Sequence, residues 1–155
     1  MAPRFPVGLP VDLTRREIVD RVSHLVEGSI GLAESPVIEL ETGPQGRIQR
    51  GWSIAGVSWT KLPDYRDKLD RRSRIEGRIV VRYAYRVQPK KQADAWRESS
   101  DDIDGLCQAL TRDSHVRDGL IVQWSSVDQR ISTSGEWLIF DVSIQAIADS
   151  GNGIS

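Results

Sequence analysis

Apolar and polar positions alternate along this chain with two different periods, and the change of period marks its elements. Thr14 and Glu17 stand three residues apart ahead of an apolar run, the arrangement of a capping box at a helix start. Ile18, Val19, Val22, Leu25 and Val26 follow at helical spacing and would share one face. This predicts a first helix, ended by Gly28. Pro36 to Glu41 alternates weakly and reads as a strand, closed by a turn at Gly43, Pro44 and Gly46. The clearest strand comes later. From Arg78 to Gln88, Ile79, Val81, Tyr83, Tyr85 and Val87 take one face, and Arg78, Val80, Arg82, Ala84, Arg86 and Gln88 the other. Pro89 ends it.

A second helix is predicted from about Ala93 to Arg112, with Trp96, Ile103, Leu106, Cys107 and Leu110 on its apolar side. Gly105 inside it costs about 1 kcal/mol relative to alanine. Two runs, Leu120 to Ser132 and Glu136 to Ala148, flank Thr133, Ser134 and Gly135, a three-residue connection with glycine placed for a left-handed turn. Together these elements predict one α+β domain over residues 13–148, a single antiparallel or mixed sheet with two helices packed on one face. Residues 1–12, with three prolines, read as an extended arm, and 149–155 as a flexible polar tail. Residues 43–72 fit no period well. Ile48, Trp52, Ile54, Val57 and Trp59 suit a strand or hairpin, whereas Pro63 to Arg72 is a dense run of mixed charge. The expectation is a loop or hairpin projecting toward a partner, because Trp52, Trp59 and Tyr65 sit on an otherwise polar stretch and need covering.

Composition narrows the class. The chain has 155 residues, with 39% hydrophobic and 28% charged, the balance of a soluble globular protein. No apolar run approaches the roughly 20 residues of a membrane-spanning helix, and the start lacks the features of a signal peptide. One cysteine, Cys107, excludes an internal disulfide framework and suits a reducing cytoplasm. The net charge of −1 conceals two blocks. Lys61 to Lys91 holds eleven Lys and Arg against four Asp and Glu, whereas Gln92 onward holds four against eleven. The alternatives are solvated surface, a basic patch for nucleic acid, or two complementary faces for head-to-tail association.

Catalytic chemistry is scarce. The two histidines, His24 and His115, and the lone Cys107 make no zinc spacing. Cys107 beside Leu106 suits a small core residue better than a nucleophile. Gly43 to Gly46 lacks the lysine and helix of a phosphate loop. Asp101, Asp102 and Asp104 would spread around a helix instead of lining a calcium loop. The expectation is no enzyme, with no catalytic, cofactor-binding or metal site and no cofactor. Arg74, Arg78, Arg82 and Arg86 recur every four residues, which on a strand sets them on one face about 13 Å apart. That row could meet solvent, a protein neighbour or DNA. With Trp52, Trp59 and Tyr65 it forms the expected subunit or partner interface.

From about Glu76 to Ala148 the chain resembles the tail-terminator family of long-tailed phages, best known from lambda-like phages. The cues are the strand Gly77 to Val87, a short proline-containing turn, and then Asp94, Ala95, Trp96, Arg97, Glu98 and Ser99. In the family a similar Asp-Ala-Trp-x-Glu-Ser opens the helix beside the strand. A polar hairpin and a Trp-containing entry to a last alternating strand follow, here Gly135 to Ile144. The resemblance implies a structural virion protein: a hexameric ring that caps the tail tube, stops its polymerisation and presents a surface to the neck. Its partners would be further copies, the tail tube protein and a neck or head-completion protein, with no membrane. DNA would pass through the lumen without sequence-specific binding. Its place would be the tail–neck junction of the virion, after assembly in the host cytoplasm. The alternatives are another neck or head-completion protein, or a nucleic-acid-binding module that uses the arginine row.

Overall fold

The computed structural model describes residues 13–35, 50–62, 73–88, 90–112 and 120–150. The elements run α1 (Arg15–Ile30), β1 (Arg50–Lys61), β2 (Ser73–Arg86), α2 (Gln92–Arg112), β3 (Leu120–Ile131) and β4 (Trp137–Ser150). The expected proline-rich arm, the strand at 36–41, the turn at 43–46 and Tyr65 lie outside the described residues.

Thr14 caps α1 as its spacing predicts. The Thr14 hydroxyl accepts the Glu17 N–H at 3.1 Å, and the Glu17 carboxylate reaches back to the Thr14 N–H at 3.4 Å. Gly28, however, does not end the helix. It lies within α1 with open space around it. One more turn brings Ile30 into the core beside Ile18, Val22 and Val26. The chain leaves the helix at Gly31, whose φ of 82° is the left-handed conformation that favours glycine, with its N–H on the Glu27 carbonyl.

The sheet is wholly antiparallel, in the order β1-β2-β4-β3, so the two long sequence-distant strands β2 and β4 form its centre. The β3–β4 hairpin turns through Gly135 at φ 77°, as the sequence predicts. The parity of β2 also holds. Ile79, Val81 and Tyr83 are fully buried on the core face, with Tyr85 and Val87 packed at its margin. Phe140, Val142 and Ile144 of β4 stand directly opposite Tyr83, Val81 and Ile79, and Tyr83 meets Phe140 edge to face at 6.1 Å. The helices supply Ile18, Val22, Val26, Ile103, Leu106 and Leu110 to this core.

Three further expectations are corrected. Trp96 does not pack in the core: Ala95, Ser99, Ile103, Leu106 and Leu110 form the buried stripe of α2, and Trp96 stands one position around the helix, 49% exposed. The polar residues Asp149 and Ser150 are not tail, because they extend β4 opposite Arg74 and Ser73. Arg50–Lys61, expected in a projecting loop or hairpin, is an edge strand paired with β2 from Arg50 opposite Tyr85 to Lys61 opposite Ile75. The strand that Trp52, Ile54, Val57 and Trp59 suit is therefore part of the sheet, and its alternation is irregular because a bulge between Ile54 and Gly56 shifts it by one residue. Ile54 and Val57, three apart, therefore face the same side.

Candidate interaction surface

Helices cover one face of the sheet; on the other, Ala84, Trp137 and Ile139 form a second, smaller buried cluster. Arg74, Arg78, Arg82 and Arg86 all point to this second face, as their spacing requires. They do not form an unbroken cationic strip. Arg82 stands opposite Asp141 in the β2–β4 register and grips it with two hydrogen bonds, at 2.8 and 3.1 Å. Arg78 lies 3.8 Å from Glu76, which also accepts a hydrogen bond from Gln145, itself bonded to Gln123. The basic and acidic blocks of the sequence thus meet partly within one chain, through antiparallel pairing of β2 with β4.

A second polar group ties the sheet to α2 on the covered side. Asp102 accepts hydrogen bonds from the Arg50 guanidinium, at 2.7 Å, and from the Tyr83 hydroxyl. The Tyr85 hydroxyl donates to Glu98. Burial, reinforced by the Asp102 carboxylate, pushes the Tyr83 phenol well above its usual range. Asp102 is therefore a structural acceptor for groups of β1 and β2. Cys107 is half-buried, and burial together with Asp104 raises its pKa, which disfavours the thiolate that nucleophilic chemistry needs. Among the described residues no group of three His, Cys, Asp or Glu could hold a metal ion.

The aromatic candidates separate. Trp52 is wholly buried, not set out for a partner. Its indole N–H donates to the Leu32 carbonyl at 2.7 Å. Trp59 lies across Gly77, its cross-strand partner, so closely that a Cβ there would come 2.6 Å from the ring. It covers a glycine of its own sheet and packs against the core. The exposed large apolar side chains are others: Val57 (39%), Trp96 (49%), Trp124 (40%) and Ile131 (63%). Trp124, Val127 and Ile131 share the helix-bearing side of β3, opposite Ile144, Val142 and Leu138. A bulge between Trp124 and Ser126 again shifts the parity, so sequence alternation does not group them.

The two sheet edges differ as well. Beside β1, the chain leaving α1 supplies cover: Ser35 N–H donates to the Trp52 carbonyl at 2.8 Å, and Glu34 accepts the Ile54 N–H at 3.0 Å. Beside β3, no described residue outside β4 and its own turn bonds to the backbone. From Gln123 to Ile131 this edge is exposed except at Val127. An open edge with apolar side chains along it is a template for pairing with another chain.

No family model matches the chain, and no curated protein matches it. Among solved structures it is similar to a chain in the virion of a native gene transfer agent particle. The two are 14% identical, the match covers 86% of this chain and 92% of that one, and the TM-score is 0.49.

Proposed function

We propose that this chain is a structural subunit of a phage-type virion, a tail terminator that assembles as a hexameric ring on the end of the tail tube and receives the neck. Support comes first from the exposed apolar residues Trp124 and Ile131 along the open edge of β3, with Trp96 on the flank of α2. Such a surface suits permanent assembly better than a life in water. The resemblance adds the specific role. Asp94 to Ser99 lie in the first turns of α2, directly after β2, the place that the tail-terminator pattern gives this motif. In this reading the protein catalyses nothing and holds no cofactor or metal. A closed ring requires two different patches on each subunit. One is the β3 edge with its apolar side chains; the other lies on the opposite flank, toward β1. Arg74 and Arg78, whose side chains reach solvent on the face away from the helices, would serve register between copies instead of sequence-specific DNA contact.

Mass photometry and negative-stain imaging of the purified protein, with and without tail-tube subunits, test this. The expected result is a ring of six copies that shortens or halts tube growth when added. A monomer that leaves tube growth unchanged would reject the terminator role. A DNA affinity that falls steeply with salt would point instead to the nucleic-acid-binding module.

A further inference from the structure

We propose that the open edge of β3 is filled by residues 4–11 of a second copy of this chain, which add to the sheet as a fifth strand. This rests on the reading of the protein as a self-assembling subunit and names the segment that completes its surface. The edge itself supplies half of the case. Among the described residues none pairs with the outer side of Gln123–Ile131, and Trp124 and Ile131 are exposed on the helix-bearing face. An arm supplied by another copy would cover these two side chains.

The arm supplies the other half. Residues 4–11 read Arg-Phe-Pro-Val-Gly-Leu-Pro-Val, with Phe5, Val7, Leu9 and Val11 at every odd position. Both prolines, Pro6 and Pro10, fall at even positions. In an added strand, alternate residues direct N–H and C=O toward the host, and the intervening ones direct theirs away. With odd residues turned to β3, every donor the pairing needs is present, and both prolines fall where no donor is used. The same parity puts Phe5, Val7, Leu9 and Val11 on one face, and in the register that turns this face toward the helices they would extend the apolar row of Trp124, Val127 and Ile131. Arg4 would then fall on the opposite face. There Asp128, exposed and without a paired cation among the described residues, stands opposite Asp141. The outward prolines would also blunt the new edge and stop further strand addition.

Parity gives a test in the full-length chain. Val7→Pro and Leu9→Pro remove a donor turned toward β3; Gly8→Pro adds a proline at an outward position; Val7→Ala keeps the donor and trims the side chain. Self-association is read by mass photometry and the edge by hydrogen exchange over residues 123–131, each at high and low protein concentration. The expected result is exchange protection of 123–131 that appears only on association and is kept in Gly8→Pro. Val7→Pro and Leu9→Pro each weaken association by about tenfold, and Val7→Ala by less. Gly8→Pro as damaging as Val7→Pro overturns the proposal. So does protection that ignores concentration, because the arm would then serve its own chain. Rings that form normally with every arm variant also overturn it while leaving the terminator role intact. Concentration-dependent, parity-sensitive protection in a protein that fails to cap tubes supports the arm and rejects the terminator role.

Discussion

Tyr83 joins the two kinds of cohesion in this fold. Its ring is fully buried against Phe140, and its hydroxyl donates to Asp102 on α2. Tyr83→Ala removes both and is expected to cost about 3–5 kcal/mol, as large-to-small aromatic core changes do. Tyr83→Phe keeps the ring and leaves Arg50 on Asp102, so about 1–2 kcal/mol is expected. The phenol also sets a pH dependence. Burial raises its pKa in the folded state, so its contribution is fully present below the unfolded phenol value near 10 and is lost as pH rises above it. Urea unfolding at about pH 8 and about pH 11 checks this: wild type should lose more stability between the two than Tyr83→Phe. An equal loss in both proteins would show that this hydroxyl is not held in its neutral form.

Element boundaries in this chain are set by conformation at single glycines. Gly28 and Gly31 are close neighbours in sequence but unlike in backbone: one is helical in open space, the other left-handed at the exit of α1. Alanine therefore acts in opposite directions. Gly28→Ala is expected to stabilise by about 0.5–1 kcal/mol, through better helix propensity and a less flexible unfolded chain. Gly31→Ala is expected to destabilise by about 1 kcal/mol, because the cap keeps φ at 82° and the added Cβ is strained there. Thermal unfolding of the two variants measures both signs. A glycine in sequence announces a possible stop; whether it is used depends on where the last apolar side chain, here Ile30, must be buried.

At the scale of the whole molecule, stability and assembly fall on different residues. Trp96 is half exposed on α2 and Ile131 is the most exposed large apolar side chain described. Trp96→Ala should change monomer unfolding by less than about 1 kcal/mol, well below the cost at a buried aromatic. It should weaken ring formation in mass photometry several-fold, as loss of an interface aromatic does. A variant that loses several kcal/mol of stability and assembles as before would place Trp96 in the core after all. The pairing of opposite charges within the chain has a related consequence. Arg82 spends its charge on Asp141, so the two charge blocks of the sequence overstate the charge available to a neighbour.

The sequence by itself determined the elements whose side chains obey one period from end to end: the capped start of α1, the length of α2, the face of β2 and the β3–β4 hairpin. Each follows from local rules of spacing, capping and turn chemistry that need no neighbour. It also set the arginines on one face, since strand parity alone decides that. Tertiary structure decided the rest. The bulges in β1 and β3 break the period, and a bulge exists only relative to the strand it pairs with. The order β1-β2-β4-β3 brought Asp141 to Arg82 and Asp102 to Arg50 and Tyr83, across separations that no sequence pattern spans. It also sorted the tryptophans, burying Trp52, laying Trp59 over Gly77 and leaving Trp96 and Trp124 outside. Burial is a property of what lies opposite a side chain, and for these residues the opposing elements come from elsewhere in the chain.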